Sequence, residues 1–324
     1  MNAWFPPNVR SETVPCDRCG SSADREVFEG PDRLHGLPGW FRLVACPRCG
    51  WLRQNPRPTA ETLAFYYPED YANFIPAIED ESRRWRRWDR RYGMLKRRWA
   101  VERLQPCGRL LDVGCATGAF LHEMQLSGWQ AEGVEPNPGA ASYARRRHGL
   151  EIYPGTLRAA GLPSGRFNVI TLWDVLEHVP NPWADLVEAH RLLAGSGLLV
   201  LRVPNLESLE ARWFGKYWLG WDLPRHLYFF PRQVLFADLT ELGFRIERAS
   251  CLATGHSAFM LDLKFYLDDR FPPPARLPGI VQRYGYSVPA RLALAPFFWA
   301  LGQVRASSMI TVFARKAPSS AGAT

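Results

Sequence analysis

The stretch RLLDVGCATGAFLHEMQLSG at residues 109–128 constrains the fold more than any other part of the chain. It reads as a short aliphatic strand, a glycine turn and an amphipathic helix ending at Gly128, the opening of an α/β unit. Gly114 and Gly118 let the backbone approach a ligand closely, and a helix beginning near Thr117 presents unpaired N–H groups. The dinucleotide spacing G-x-G-x-x-G is absent, with Ala116 where a middle glycine would fall. Strands are expected at 109–113, 130–134, 151–153, 167–172, 197–203, 244–252 and 309–315, with helices in most of the gaps. That alternation predicts a doubly wound, mostly parallel sheet of seven strands. Ligands of such sheets bind at the carboxyl ends of the strands, where Asp112, Glu135, Gly155 to Leu157 and Asp174 fall.

Asp112 stands ahead of the glycines, and Glu135 ends the next strand in QAEGVEPNP. An acid at the tip of the second strand accepts two hydrogen bonds from a ribose diol. A carboxylate beside the loop suits a cofactor carrying positive charge rather than pyrophosphate, and S-adenosylmethionine has both features. LLDVGCATGAF, VEPN and FNVITLWDVLEHVPNP, in this order and spacing, resemble the class I S-adenosylmethionine-dependent methyltransferases. The similarity continues through PRHLYFFPRQVLFADLTELGF and covers residues 108–254 plus the last strand. The resemblance implies a Rossmann-like sheet whose last strand inserts antiparallel beside its predecessor. It also implies cofactor contacts at Asp112, Gly114, Cys115, Ala116, Gly118, Glu135, Pro136, Thr156, Leu157 and Asp174.

Methyl transfer is an in-line displacement at a sulfonium, which needs alignment and, for a hydroxyl acceptor, removal of a proton, but no metal. The fourth strand ends in LWDVLEHVP, which puts Asp174, Glu177 and His178 at the sheet tip. His178 is the first candidate for general base because an unperturbed imidazole titrates near neutrality, and a purely structural role in the turn is an equal reading. His226 in GWDLPRHLYFFP is the second candidate, in a segment that the resemblance places over the substrate pocket. Trp218, Trp221 and Tyr228 would suit a sugar face or an apolar chain, or would pack under a lid; Phe229 and Phe230 are assigned to the core.

Two knuckles, CDRCG with Cys16 and Cys19 and CPRCG with Cys46 and Cys49, each supply half of a tetrahedral thiolate site. They predict one structural zinc in a ribbon, closed by four cysteines and so without an open coordination position. Cys107, Cys115 and Cys251 are left as reduced thiols.

The formal charge of +8 is concentrated in RRWRRWDRRYGMLKRRW, residues 83–99, whose nine basic residues and one acid account for all of it. Trp85, Trp88, Tyr92, Leu95 and Trp99 are spaced 3, 4, 3 and 4. This predicts an amphipathic helix whose apolar side packs on the next domain and whose basic side is either merely solvated or meets anionic lipid or RNA. The sequence PARLALAPFFWALGQV, residues 289–304, lies in an insertion from Gly255 to Ala306; it is apolar nearly all round and kinked by Pro296. About four turns are too few to span a bilayer, so this segment either buries itself or lies in a membrane interface. With no signal-peptide core and no span-length apolar run, the expected location is cytoplasmic, with peripheral contact at the inner membrane surface.

The chain therefore divides into a zinc ribbon at 1–60, an aromatic and Arg-rich linker at 61–107, and a methyltransferase domain at 108–324 with the 255–306 insertion. The order of ribbon, NPRPTAETLAFYYPEDY and methyltransferase motifs resembles bacterial methyltransferases of glycan and cell-envelope biosynthesis. A related group with N-terminal zinc sites methylates carbon in deoxysugars, but its large C-terminal domain has no counterpart here. The expected acceptor is a hydroxyl of a small or lipid-linked sugar or glycan precursor. An RNA-modifying enzyme and a deoxysugar C-methyltransferase are the alternatives.

Overall fold

The computed structural model describes residues 4–318 apart from 69–77, 79–80, 252–254 and 273–274. The end of the sixth expected strand at Leu252, parts of FPPPARLPG and NPRPTAETLAFYYPEDY, and the tail from Ser319 lie outside the described residues.

The central sheet is built from β6 (Arg109–Val113), β7 (Gln130–Glu135), β8 (Glu151–Pro154), β9 (Phe167–Trp173), β10 (Leu193–Pro204), β12 (Phe244–Ser250) and β13 (Met309–Lys316). Its spatial order is β12-β13-β10-β9-β6-β7-β8, and β13 runs antiparallel to both neighbours. The pairs β6–β7, β7–β8, β6–β9 and β9–β10 are parallel. This is the expected doubly wound, Rossmann-like methyltransferase sheet. The expected strand positions hold, although β10 begins at Leu193, four residues before the expected 197.

Period-two alternation sorts the strand residues onto two buried faces. Leu111, Val113, Ile170, Leu172, Leu199 and Leu201 pack under α5 (Pro182–Leu192) and α7 (Arg232–Glu241). Leu110, Val169, Leu198 and Val200 pack under α2 (Arg84–Glu102), α3 (Ala119–Gln125) and α4 (Pro138–His148). Helices α4 and α5 start at the same sequence signal. Asn137 and Asn181 each precede a proline, and each side chain accepts a hydrogen bond from the backbone N–H three residues on, at 3.0 and 2.9 Å.

Helix α2 forms as expected, but its orientation corrects the sequence reading. Trp85, Trp88, Tyr92 and Trp99 face outward, Trp88 being 66% exposed, while Ala100 and Val101 are buried on the domain. Arg97 and Arg98 point inward because a buried and a half-buried carboxylate await them: Arg98 reaches Glu123 at 2.7 Å and Arg97 reaches Asp174 at 3.5 Å. An unpaired buried carboxylate costs more than exposed indoles that stack on one another, and Trp88 lies on Tyr92 at 5.3 Å and 4°.

The insertion is helical in α8 (His256–Arg270), α9 (Leu277–Gly285) and α10 (Val288–Gln303). Phe298 and Leu301 anchor α10, whereas Leu292 and Trp299 are exposed. Arg291 joins α10 to α2 through Asp89 at 3.3 Å and the face of Trp85 at 5.5 Å. No described helix is long and apolar enough to cross a membrane.

At the N-terminus β1 (Ser11–Glu12) pairs with β5 (Arg57–Pro58), while β2 (Arg25–Gly30), β3 (Phe41–Ala45) and β4 (Leu52–Gln54) form a second sheet that is completed by β11 (Tyr228–Phe229). Strand β11 comes from the segment before α7, so the ribbon sheet is closed by the catalytic part of the chain. Buried charges lock the two together: Arg225 with Asp32 at 2.7 Å, and Arg18 with Asp238 at 2.8 Å.

Candidate functional site

The loop after β6 turns sharply because Gly114 holds φ at +68°, where a Cβ would lie 2.6 Å from Val175. Gly118 starts α3 at φ +79°, against Leu150 and Ala144. Ala116 also sits at positive φ, +48°, so the residue in the place of a middle glycine is strained, not merely bulky. Glu135 ties the loop to the tip of β7, accepting from the backbone N–H groups of Ala116 and Asn137, both at 2.8 Å.

Asp112 does not stand open beside the loop. Its side chain is buried and accepts from the Thr171 hydroxyl at 2.6 Å, and burial pushes its carboxyl up to about 7 against the pull of that bond and of Arg97. The Cys115 side chain packs into the core and Leu157 is buried there too, so both face the site only by their backbone. Pro136 and Thr156 are exposed at the strand ends.

Asp174 adopts φ +60° and is clasped by two arginines. Arg202 of β10 makes a two-pronged pair with it, Nε donating at 2.5 Å, and the Arg97 guanidinium lies 3.5 Å away. Both arginines stack over Trp173, at 4.9 and 5.9 Å. Burial, aided by the Arg202 charge, lowers Arg97 to about 10. The arginines hold Asp174 ionised although burial opposes it. Sequence reasoning missed both: Arg97 looked like surface charge, and the only signal for Arg202 was a lone cation in an otherwise aliphatic strand.

Beyond Asp174 lie Glu177, His178 and His226, which donate ligand atoms within 4.8 Å of one another. The two imidazoles meet edge to face at 4.6 Å. Burial pushes His178 down to about 4, with the His226 ring adding to it, and burial lowers His226 as well. Glu177 is fully buried and burial drives its carboxyl well up, with the Asp174 charge adding to that. A pocket is lined by Phe28, Arg33, Lys216, Trp218, Trp221 and Asp222. Asp222 lies 4.0 Å from His226 Nε2. Tyr228, expected to face a substrate, instead lies buried under the ribbon, bonded to Asp17 and to Arg57 at 2.8 Å. Phe229 and Phe230 are core residues, as expected.

The donor set fits S-adenosylmethionine. Glu135, at the tip of β7, would suit a ribose diol and Arg97 the carboxylate of the amino acid, whereas the charge of Asp174 is already offset by Arg97 and Arg202. Cys16, Cys19, Cys46 and Cys49 converge, with Sγ separations of 3.5 Å for Cys16–Cys49 and Cys19–Cys46. A tetrahedral ion with Zn–S bonds of about 2.3 Å spaces its sulfurs about 3.8 Å apart, so the cluster is compatible with zinc.

The family model for a methyltransferase domain matches residues 80–249. This chain belongs to that family. The methyltransferase is 30% identical over 201 residues to a ubiquinone biosynthesis O-methyltransferase of Azotobacter vinelandii, covering 56% of this chain and 83% of that one. A protein of the same name from Psychrobacter cryohalolentis is 33% identical over 108 residues, 30% of this chain, and the chain spans only 41% of that relative's length. Among solved structures, a methyltransferase from Archaeoglobus fulgidus covers 70% of this chain and 94% of its own, at 18% identity and TM-score 0.44. The magnesium protoporphyrin IX methyltransferase of Synechocystis covers 71% of this chain and 85% of its own, at 15% identity and TM-score 0.45.

Proposed function

We propose that the methyltransferase moves the methyl group of S-adenosylmethionine onto a hydroxyl of a small or lipid-linked acceptor, a sugar or glycan precursor. The observation that carries this reading is the half-buried His178–His226 pair, whose rings meet at 4.6 Å and whose neighbour Asp222 also lines the aromatic pocket. S-adenosylmethionine supplies the electrophilic methyl of its sulfonium. Glu135 would hold the ribose, Arg97 the carboxylate, and the backbone of residues 114–118 the remainder. Both histidines are neutral at pH 7, so an Nε2 is able to take the acceptor's proton, and Asp222 would stabilise the imidazolium that results.

Trp221 would offer an aromatic face to a sugar ring, with Trp218 buried against it and bonded to Ser308, and Arg33 and Lys216 would offer charge to a phosphate link. The names of the relatives, O-methyltransferases of ubiquinone biosynthesis, support oxygen as the acceptor atom. We further propose that the exposed indoles of α2 and α10, with the arginines beside them, rest on an anionic membrane rather than on RNA. Mass spectrometry of lipid-linked oligosaccharides from cells with and without the protein tests the acceptor. A species heavier by one methylene unit that vanishes with the protein supports the reading, and unchanged profiles reject it.

A further inference from the structure

We infer that Glu177, His178 and His226 form a second metal site, separate from the four cysteines, which binds a divalent transition ion of the zinc class. The inference goes beyond methyl transfer and does not depend on it. Three observations converge on it.

First, both imidazoles are oriented as ligands. His178 Nδ1 lies 2.9 Å from the carbonyl oxygen of Arg225, and His226 Nδ1 lies 2.8 Å from that of Gly220. A carbonyl oxygen only accepts, so each Nδ1 carries the proton and each Nε2 carries a lone pair. A backbone carbonyl on the far nitrogen is the support that metal-bound histidines usually have. It is firmly held here, since Arg225 is itself buried and pinned by Asp32 and Asp222, each at 2.7 Å.

Second, Glu177 is fully buried, and neither carboxylate oxygen has a hydrogen-bond partner on another residue. Such an orphan is costly unless a cation or a proton compensates it, and the two lone-pair nitrogens beside it supply the rest of a ligand set. Third, each of the three residues brings a ligand atom within 4.8 Å of the others, and neither Glu177 oxygen is bonded to an imidazole. Ligand bonds of about 2.0–2.2 Å need donors about 3.4 Å apart, a closure within reach of side-chain rotations.

Two imidazoles and one carboxylate suit zinc-class ions and leave one position open. Asp222, 4.0 Å from His226 Nε2, also lines the pocket of Trp221. With the ion bound neither Nε2 is free to act as a base. In place of transfer to an imidazole, an acceptor hydroxyl at the open position would give its proton to water and keep the electron pair on oxygen, at a lower pH than the free hydroxyl would.

The test is a titration of Zn2+ and, in parallel, Co2+ into full-length protein whose cysteine site is already filled, for wild type, Glu177→Gln and His226→Ala. The expected result is one further equivalent in wild type, with Co2+ showing weak visible bands and none of the intense near-ultraviolet absorption of thiolate ligation. That equivalent should weaken at least about tenfold in each variant, the cysteine-bound zinc being retained as the sign of a folded chain. Glu177→Gln preserves shape and decides alone if His226→Ala does not fold. No equivalent beyond the cysteine zinc, or a second equivalent untouched by Glu177→Gln, overturns the inference and leaves Glu177 as a buried carboxylic acid.

Discussion

Asp112 and Ala116 show how the site stores cost in single residues. Asp112 is more easily protonated in the folded protein than in the unfolded chain, about 7 against 3.8 for a free aspartate side chain. The native state therefore binds more protons than the unfolded state across that window, and this contribution to stability is complete below pH 4 and lost as pH rises towards 7. Urea midpoints of the cofactor-free protein should fall with pH more steeply in wild type than in Asp112→Asn; equal slopes would contradict the assignment. Ala116 holds a left-handed conformation that disfavours an L side chain by roughly 1–2 kcal/mol, partly offset by glycine's greater freedom when unfolded. Ala116→Gly should raise stability by about 1 kcal/mol, read as a higher melting temperature. The glycines, Glu135 and Asp174 were legible because local strand–loop–helix chemistry places them. Arg97 and Arg202 were not, since only tertiary packing reveals that Asp174 needs cations.

At the level of elements, α2 carries the clearest lesson. Its period was readable and its direction was not, because the 3-4 spacing marks a stripe without saying what covers it. Val101→Ala, on the buried side, should cost about 2 kcal/mol in unfolding free energy, whereas Trp88→Gln should change it by less than about 0.5 kcal/mol. Trp88 and its neighbours are instead expected to act at a surface. Co-sedimentation with anionic liposomes should occur, weaken with salt, and be lost when Arg83, Arg84, Arg86, Arg87, Arg90 and Arg91 become Gln. Tight RNA binding by wild type without sedimentation would reverse the choice of partner.

Across the whole molecule, the ribbon and the catalytic sheet are one structure. Strand β11 completes the ribbon sheet, Trp51 Nε1 donates to Asp238 at 2.6 Å, and Asp32 pins the arginine whose carbonyl orients His178. The four-cysteine pattern pointed to zinc, but a sequence split near residue 60 had no means of showing that the ribbon reaches across to the histidines. Changing Cys16, Cys19, Cys46 and Cys49 to Ser should therefore speed amide exchange at residues 225–230 as well as in the ribbon. Protection that stays intact at 225–230 would show the two parts to be independent. The central claim is that the cradle of Glu135, Arg97 and the residue 114–118 loop binds S-adenosylmethionine. Calorimetric titration of the cofactor into wild type and Glu135→Ala tests it most directly. One molecule per wild-type chain and affinity at least about tenfold weaker in the variant, from the loss of charged hydrogen bonds, is the predicted result; equal affinity in both, or no binding to wild type, would contradict it.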